Sequence, residues 1–487
     1  MTSHPVLRVR PADDAAPAAR LREGVQHLQG ELGVTPDFPA EVLAAAERAA
    51  AAPRLPELDR TDLPMLTIDP EGSRDLDQAM HLAREGDGPD ADFVVHYAIA
   101  DVAAYVTAGD PVDVEAHRRG ETLYGAESRV PLHPGVLSED AASLLPDRVR
   151  PALLWTIRMS AEGERLDADV QRALVRSTAQ LTYEEAQRLV DAGEGPETLA
   201  VLAQLGPLRL QREAARGGVS LPLPEQEVVV EGEHWSLEHR ARLPVEDWNA
   251  QVSLLTGYAA AAMMVYARTG LLRTLPDPDP RDVQRLHRTA RALGISWPAE
   301  LLYPDFVRTL DPQQPAHAAM VVACTRLLRG SGYVAFDGEL PEQPRHAALA
   351  TEYAHVTAPL RRLGDRYAGE VCLALCAGHD VPGWVLDALP GLPDTLRDSA
   401  RRASAYERGV LDLVEAGVLE GREGEVFDAV VVDVDDRDGG TRGKIMIAEP
   451  AVEARVRGDR PLPLGEPLRV RLVEADVAAR RIGFEPA

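Results

Sequence analysis

The chain has 487 residues, 45% of them hydrophobic, which suffices for two or three domains with sizeable cores. Its net charge of −26 argues against a protein that coats nucleic acid nonspecifically, while leaving room for an enzyme that draws one strand into a locally basic channel. Three cysteines, Cys324, Cys372 and Cys376, make neither a disulfide framework nor a zinc pattern, so a reducing cytoplasm is the expected compartment. There is no positively charged start followed by an apolar core and no apolar run long enough to span a bilayer, so neither export nor a membrane partner is expected, and the protein should be a monomer. Almost all positive charge is arginine, Lys444 being the only lysine, a bias more of genome than of site design.

In chain order, residues 1–61 are rich in alanine, with helical patterns at 16–33 and 39–52, and are expected to form a short helical segment, either a helix-turn-helix or a plain cap. From Leu66 the pattern turns to strands. Residues 65–80 bring an apolar run to Asp69, a turn of Pro, Gly and Ser, and then Asp75 and Asp77 at a spacing of two. In an extended segment side chains two apart share a face, so three carboxylates could converge on one small volume, where their repulsion calls for a hard divalent cation. Alternating stretches at 75–83 and 93–102 read as a hairpin or meander around the turn at 85–90, bringing Asp101 to the same sheet. Strands at 153–159 and 170–178 and an amphipathic stretch at 183–190 follow. Helical patterns then dominate at 248–269, 281–293, 317–329, 361–377 and 392–416. Strands with helices appended, rather than alternating with them, point to α+β. From about residue 421 short strands return at 426–434, 443–447, 451–456 and 468–472, fitting a small OB-type barrel.

Thr67, Ile68 and Asp69 followed by Asp75, Leu76 and Asp77, then His96 to Val102 with Asp101 near its end, then Tyr353 to Arg362 with His355, Pro359 and Arg361, resemble the ribonuclease II / ribonuclease R family, whose motifs run in this order. The resemblance extends from about residue 62 to 410, and the C-terminal barrel looks like the family's S1 domain. It implies an RNB-type mixed sheet with packed helices forming an RNA channel over 62–418, an S1-like barrel over 419–487, and a processive 3′-to-5′ exoribonuclease. Single-stranded RNA would be hydrolysed to 5′-mononucleotides with Mg²⁺, or Mn²⁺ as substitute; the alternative is an RNA-binding or regulatory protein of the same fold with attenuated cleavage.

By the same resemblance Asp69, Asp75, Asp77 and Arg361 are the catalytic residues, with Asp69, Asp75, Asp77 and Gln78 toward the metal. Tyr124, Glu407, Arg273 and Arg362 are expected on the RNA, Tyr124 as a stacking platform and Glu407 near the strand end, and His355 in a structural hydrogen bond. Carboxylate-held metals supply charge stabilisation, an activated water and a stabilised leaving oxygen, which phosphodiester hydrolysis requires. Arg361 would stabilise charge on the phosphate. The chain departs from the family's pattern at Gln78, which stands where a further aspartate is usual, at Leu272 in place of an aromatic, at Gln251 in place of a glutamate, and in a short N-terminus without room for two cold-shock barrels.

Overall fold

A computed structural model describes residues 16–487 except 87, 89, 90, 126–128, 223, 224, 232, 233, 241 and 436–438, and leaves out the side chains of 16–19 and 223–241. The turn expected at 85–90 therefore lies partly outside the described residues.

Five strands, Met65–Ile68, Gln78–Glu85, Asp92–Ala100, Val149–Met159 and Arg165–Leu181, close into a barrel. Four neighbouring pairs are antiparallel, and Met65–Ile68 closes the ring by pairing parallel with Arg165–Leu181. The expected mixed sheet is thus present, and its curling removes the free edges that an open sheet would expose. Alternation in Asp92–Ala100 sends Phe93, Val95 and Tyr97 inward, and Tyr97 sits opposite Trp155, both fully buried. Asp101, just after that strand, caps a short turn and receives Arg172 at 2.8 Å, and Arg172 also pairs with Glu370. Its role is to join strand to helix.

Around this barrel pack Glu197–Arg216, Pro244–Ala267, Leu363–Ala377 and Leu392–Leu419. The first was not foreseen, because Gly206 and Pro207 interrupt its helical pattern. They are tolerated because a Cβ on Gly206 would lie 2.3 Å from the Trp248 ring, so the glycine lets the two helices approach closely. Pro244–Ala267 corrects the expectation that no membrane-length apolar run exists: it is long and apolar enough by composition. Its apolar side chains, among them Val252, Leu255, Ala259 and Ala260, face the main core. Of Cys372 and Cys376, read from their apolar helical run as small core residues, Cys372 is buried and Cys376 half-buried, and Cys324 is buried as well; all three are free thiols.

The two N-terminal helices dock on different partners. Ala16–Leu32 crosses Leu392–Leu419 by reciprocal glycine contacts: a Cβ on Gly24 would meet Leu413 at 2.7 Å, and one on Gly409 would meet Leu28 at 2.8 Å. Gln29 donates to the Tyr406 hydroxyl at 3.0 Å within this interface. Ala40–Ala51 packs instead on Pro111–Arg119. Between them, buried Arg119 donates to the carbonyls of Thr35, Asp37 and Pro131 and lies over the Phe38 ring, anchoring the connecting segment. These helices form a cap built into the fold.

The last strands, Val426–Val434, Arg442–Ile447, Val452–Arg457, Pro467–Asp476 and Arg481–Pro486, close into a second barrel. Val431, Ile445, Val452, Val470 and Phe484 fill it, and its core is continuous with Leu21, Val25 and Leu28 of the first helix and with Val410 and Leu413 of the long one.

Candidate active site

Between the two barrels lies a cavity of about 1740 Å³, walled by the rim of the first barrel, by Pro244–Ala267 and Leu392–Leu419, and at one end by Val430, Met446 and Ala448 of the second barrel. Every residue singled out from the sequence for catalysis, metal or RNA lines it: Asp69, Asp75, Asp77, Gln78, Tyr124, Arg273, Arg361, Arg362 and Glu407.

The strand expected from Asp75 starts only at Gln78: after the turn through Pro70 and Gly72, the latter at φ 77°, the chain runs irregularly through Asp77. The spacing of two nevertheless has its effect. Leu76 is buried and its N–H donates to the Ser143 hydroxyl at 2.9 Å, while Asp75 and Asp77 on either side of it face the cavity.

Each aspartate is held differently. Asp77, only 5% exposed, accepts the Leu360 N–H at 2.7 Å on one oxygen and the Arg361 guanidinium at 3.2 Å on the other. Asp75 accepts Arg129 at 2.7 Å, and Arg129 also pairs with Glu139. Asp69 has one buried oxygen with no hydrogen-bond partner in the protein. Burial pushes the Asp77 carboxyl up to about 7 against the pull of Arg361 and the Leu360 N–H, and pushes Asp69 up to about 6 against Arg361. Carboxylates desolvated to this degree call for more positive charge than the protein supplies.

That is the test for a divalent cation, and the donor chemistry fits. The orphaned Asp69 oxygen and the oxygen of Asp75 that Arg129 does not engage are hard ligands of the kind such ions prefer. Among the described residues no group of three or more His, Cys, Asp or Glu is preassembled as a metal shell. Gln78 differs from a dedicated ligand: its amide oxygen accepts the Tyr97 hydroxyl at 2.5 Å and its nitrogen donates to the Thr357 carbonyl at 2.7 Å. It ties the barrel to the loop that carries Arg361, with only one lone pair of its oxygen left for an ion.

Tyr124 stands on the short strand Leu123–Tyr124, paired with Arg129–Val130, and projects its ring into the cavity at 38% exposure. Arg362 is less available, since two of its nitrogens are bound to Asp365 at 3.0 and 2.7 Å. Arg273 lies over the Tyr333 ring, 4.7 Å from its centroid, and donates to Ser331. Tyr333 hydrogen-bonds His355 at 2.7 Å, which gives His355 the structural contact expected of it. Burial first, and then the charge of Glu121, push Glu407 up to about 7.

Leu272 is fully buried and outside the cavity. The aromatic on this wall is Tyr333, across the strand pair from Arg273. Gln251 lines the cavity and donates to Glu213 at 2.6 Å. Sequence reasoning missed Arg129, Tyr97, Glu121 and Tyr333. For Arg129 and Glu121 the available signal was their place on either side of Tyr124; for Tyr97 and Tyr333 there was none short of the strand register.

Comparisons with known proteins agree with this geometry. The family profile of the RNB domain matches residues 58–374, and that of the RNase II-type exonuclease C-terminal S1 domain matches 425–487. The chain is 24% identical over 517 residues to ribonuclease R 1 of Lactococcus lactis, covering 95% of this chain and 61% of that protein. It is 25% identical over 418 residues to ribonuclease R of Escherichia coli, covering 81% and 51%, and 26% identical over 370 residues to the exosome complex exonuclease RRP44 homolog A of Arabidopsis thaliana, covering 73% and 39%. It thus spans between 39% and 61% of the length of these relatives. Among solved structures, Mycoplasma genitalium RNase R in complex with ribose-methylated single-stranded RNA superposes with a TM-score of 0.82 at 19% identity, covering 96% of this chain and 78% of that one. Yeast Ssd1, a pseudonuclease, superposes at 0.67 and 15% identity, covering 88% and 54%. At such identities the structural likeness speaks for the fold alone.

Proposed function

Because the chain belongs to the RNB family and carries an RNase II-type S1 domain, we propose that it is a processive 3′-to-5′ exoribonuclease that degrades single-stranded RNA to 5′-mononucleotides. The observation that carries this reading is the convergence of Asp69, Asp75, Asp77 and Arg361 on one cavity, with a buried Asp69 oxygen left unpartnered. The names of the similar proteins, ribonuclease R among them, support the same reaction.

Divalent-metal dependence is general in this family, and Mg²⁺, with Mn²⁺ as substitute, is the ion we propose for this chain. Bound there, a divalent cation would polarise the scissile phosphate and lower the pKa of a water. Asp69 and Asp75 would hold it. Asp77, fixed from both sides, orients Arg361 toward the phosphate, where a guanidinium offsets charge developing on the non-bridging oxygens. Tyr124 offers a face to a base near the strand end, a sequence-tolerant contact worth roughly 1–3 kcal/mol. Gln78 holds the loop of Arg361 against the barrel. A cytoplasmic location and a monomeric state are part of the same proposal.

A second reading, an RNA-binding protein of the same fold that cuts poorly, draws on Gln78, a neutral side chain already committed to Tyr97 and Thr357. A 5′-labelled single-stranded RNA incubated with Mg²⁺ or Mn²⁺ separates the two. The enzyme shortens it from the 3′ end to a small labelled product with release of mononucleotides, whereas the binding protein retards it intact.

A further inference from the structure

Asp75 is held by a cation of the protein's own. The two terminal nitrogens of Arg129 engage two different carboxylates, Asp75 at 2.7 Å and Glu139, and all three side chains are half-buried. A guanidinium spanning two carboxylates offsets their repulsion as a bridging metal ion would, with a charge that no working pH removes. Its place is fixed from two directions. Arg129 stands opposite Tyr124 on a two-residue strand pair whose other members, Leu123 and Val130, are buried. Asp75 and Tyr124 line the cavity, and Arg129 does not. Glu139 belongs to the segment 137–144, whose far end holds the backbone beside Asp75. There the Ser143 hydroxyl accepts the Leu76 N–H at 2.9 Å, and the Leu144 N–H donates to the Leu76 carbonyl at 3.0 Å. One segment thus sets both the backbone at Asp75 and, through Arg129, its carboxylate.

The oxygens left over limit the metal. Asp77 has both of its oxygens engaged, by the Leu360 N–H and by Arg361, and Arg129 takes one oxygen of Asp75. Gln78 carries no charge and is bound to Tyr97 and Thr357. What remains for a cation is Asp69, with its unpartnered oxygen, and the second oxygen of Asp75. Two divalent ions about 3.5–4 Å apart require carboxylates shared between them. The oxygens that would be shared here already hold arginines.

We propose that this centre takes a single divalent cation and that Arg129, a positioning residue acting through Asp75, fills the place a second would have. The inference rests on the divalent-cation reading of the site and adds how many ions are held and what sets the number. Removing the guanidinium leaves Asp75 and Glu139 facing one gap, with one more net negative charge beside Asp69. A unit charge within about 4–6 Å changes a carboxylate's hold on a proton by roughly one to three powers of ten, and a divalent ion feels that charge twice over. The lost charge therefore outweighs the lost anchoring of one side chain, and metal binding tightens when Arg129 goes.

The test is Mn²⁺ titration of the full chain followed by electron paramagnetic resonance, with Asp69→Asn titrated in parallel as the background of a chain of net charge −26. The native chain should hold one ion above that background. Arg129→Ala should take up two, the first at least about tenfold more tightly than the native chain does. Arg129→Gln, the milder loss of charge, serves if the alanine variant fails to fold, with the same expectation. Arg129→Lys keeps the charge and should stay at one ion. Glu139→Gln, which leaves Arg129 to Asp75 alone, should bind its ion more weakly than the native chain. Substitutions that merely loosened the fold would move both affinities the same way, so the opposite signs are the readout, and it needs neither RNA nor cleavage. Two ions in the native chain, only one in the variant that lacks the Arg129 charge, or weakening in both that variant and Glu139→Gln overturns the inference. No ion above background in the native chain overturns the divalent-cation reading and the inference with it. One ion in a native chain that cuts no RNA, with the expected count in the variants, sinks the exoribonuclease reading alone and upholds the place of Arg129.

Discussion

Asp77 and Arg361, 284 residues apart, meet in an ion pair whose geometry is fixed by a third contact, the Leu360 N–H on the second Asp77 oxygen. The acid is thereby a hinge-pin for the arginine as well as a charge beside Asp69 and Asp75. Asp77→Asn keeps an acceptor for the Leu360 N–H and removes the charge. Cleavage should fall by about 10²–10³ or more, the scale seen when a charge-stabilising group is lost, with RNA affinity retained. Single-turnover rates alongside binding isotherms check this, and a parallel loss of both would show that Asp77 serves binding.

Gln78 is a strut in this structure, and giving it charge should recruit metal. Gln78→Glu keeps the reach to Tyr97 and gives up the donor to Thr357. Mn²⁺ titration followed by electron paramagnetic resonance should show tighter binding than in the native protein. Tyr97→Phe leaves the Gln78 oxygen short of its partner, and urea unfolding should register a loss of about 1–3 kcal/mol. No change in either measurement would mean that the side chain is idle.

The first helix is packed to tolerance at one glycine and not at another. Gly24→Leu drives a side chain into Leu413 and should cost about 1–3 kcal/mol by overpacking. Gly30, whose added Cβ meets nothing within 4 Å, should gain about 0.5–1 kcal/mol as alanine. Thermal unfolding of the two variants, one lowered and one raised, tests the docking; equal shifts would place the helix elsewhere.

Glu407 sets a pH dependence. Burial, then the charge of Glu121, raise its carboxyl to about 7 from the ordinary 4.5 of a glutamate, so the folded chain holds a proton that the unfolded chain releases. Protons bound in excess by the folded state make stability fall as pH rises, so this contribution is full below about 4.5 and is lost as pH climbs through about 7. Glu407→Gln should flatten that part of the profile and be more stable than the native chain at pH 8 relative to pH 5. Parallel profiles would show Glu407 to be ordinarily ionised.

Much of this site could be read before the fold was seen. The run Thr67–Asp69, the turn and the flanks of Leu76 announce carboxylates set against a core, and short alternating strands after residue 421 announce a barrel. What joins Asp77 to Arg361, or Asp75 to Arg129, is not local: no spacing tells an aspartate which arginine will reach it across 284 or 54 residues. Only the order of motifs shared with a family connected Asp77 to Arg361, and nothing connected Asp75 to Arg129. The closing of the first barrel by a parallel pair escaped for the same reason, and Glu197–Arg216 escaped because Pro207 reads as a breaker until Trp248 is seen packed against its neighbour. Gln78 was legible as a departure, but its tie to Tyr97 depends on register.

The central claim is that Asp69, Asp75, Asp77 and Arg361 form a cleavage centre at the end of a single-strand channel. Its most direct test is the fate of a 5′-labelled single-stranded RNA with a divalent cation, for the native chain and for Asp77→Asn. The account predicts shortening from the 3′ end to a small labelled remnant with 5′-mononucleotides released by the native chain, and bound, intact RNA with the variant. Intact RNA with both proteins, or equal cleavage by both, would contradict it.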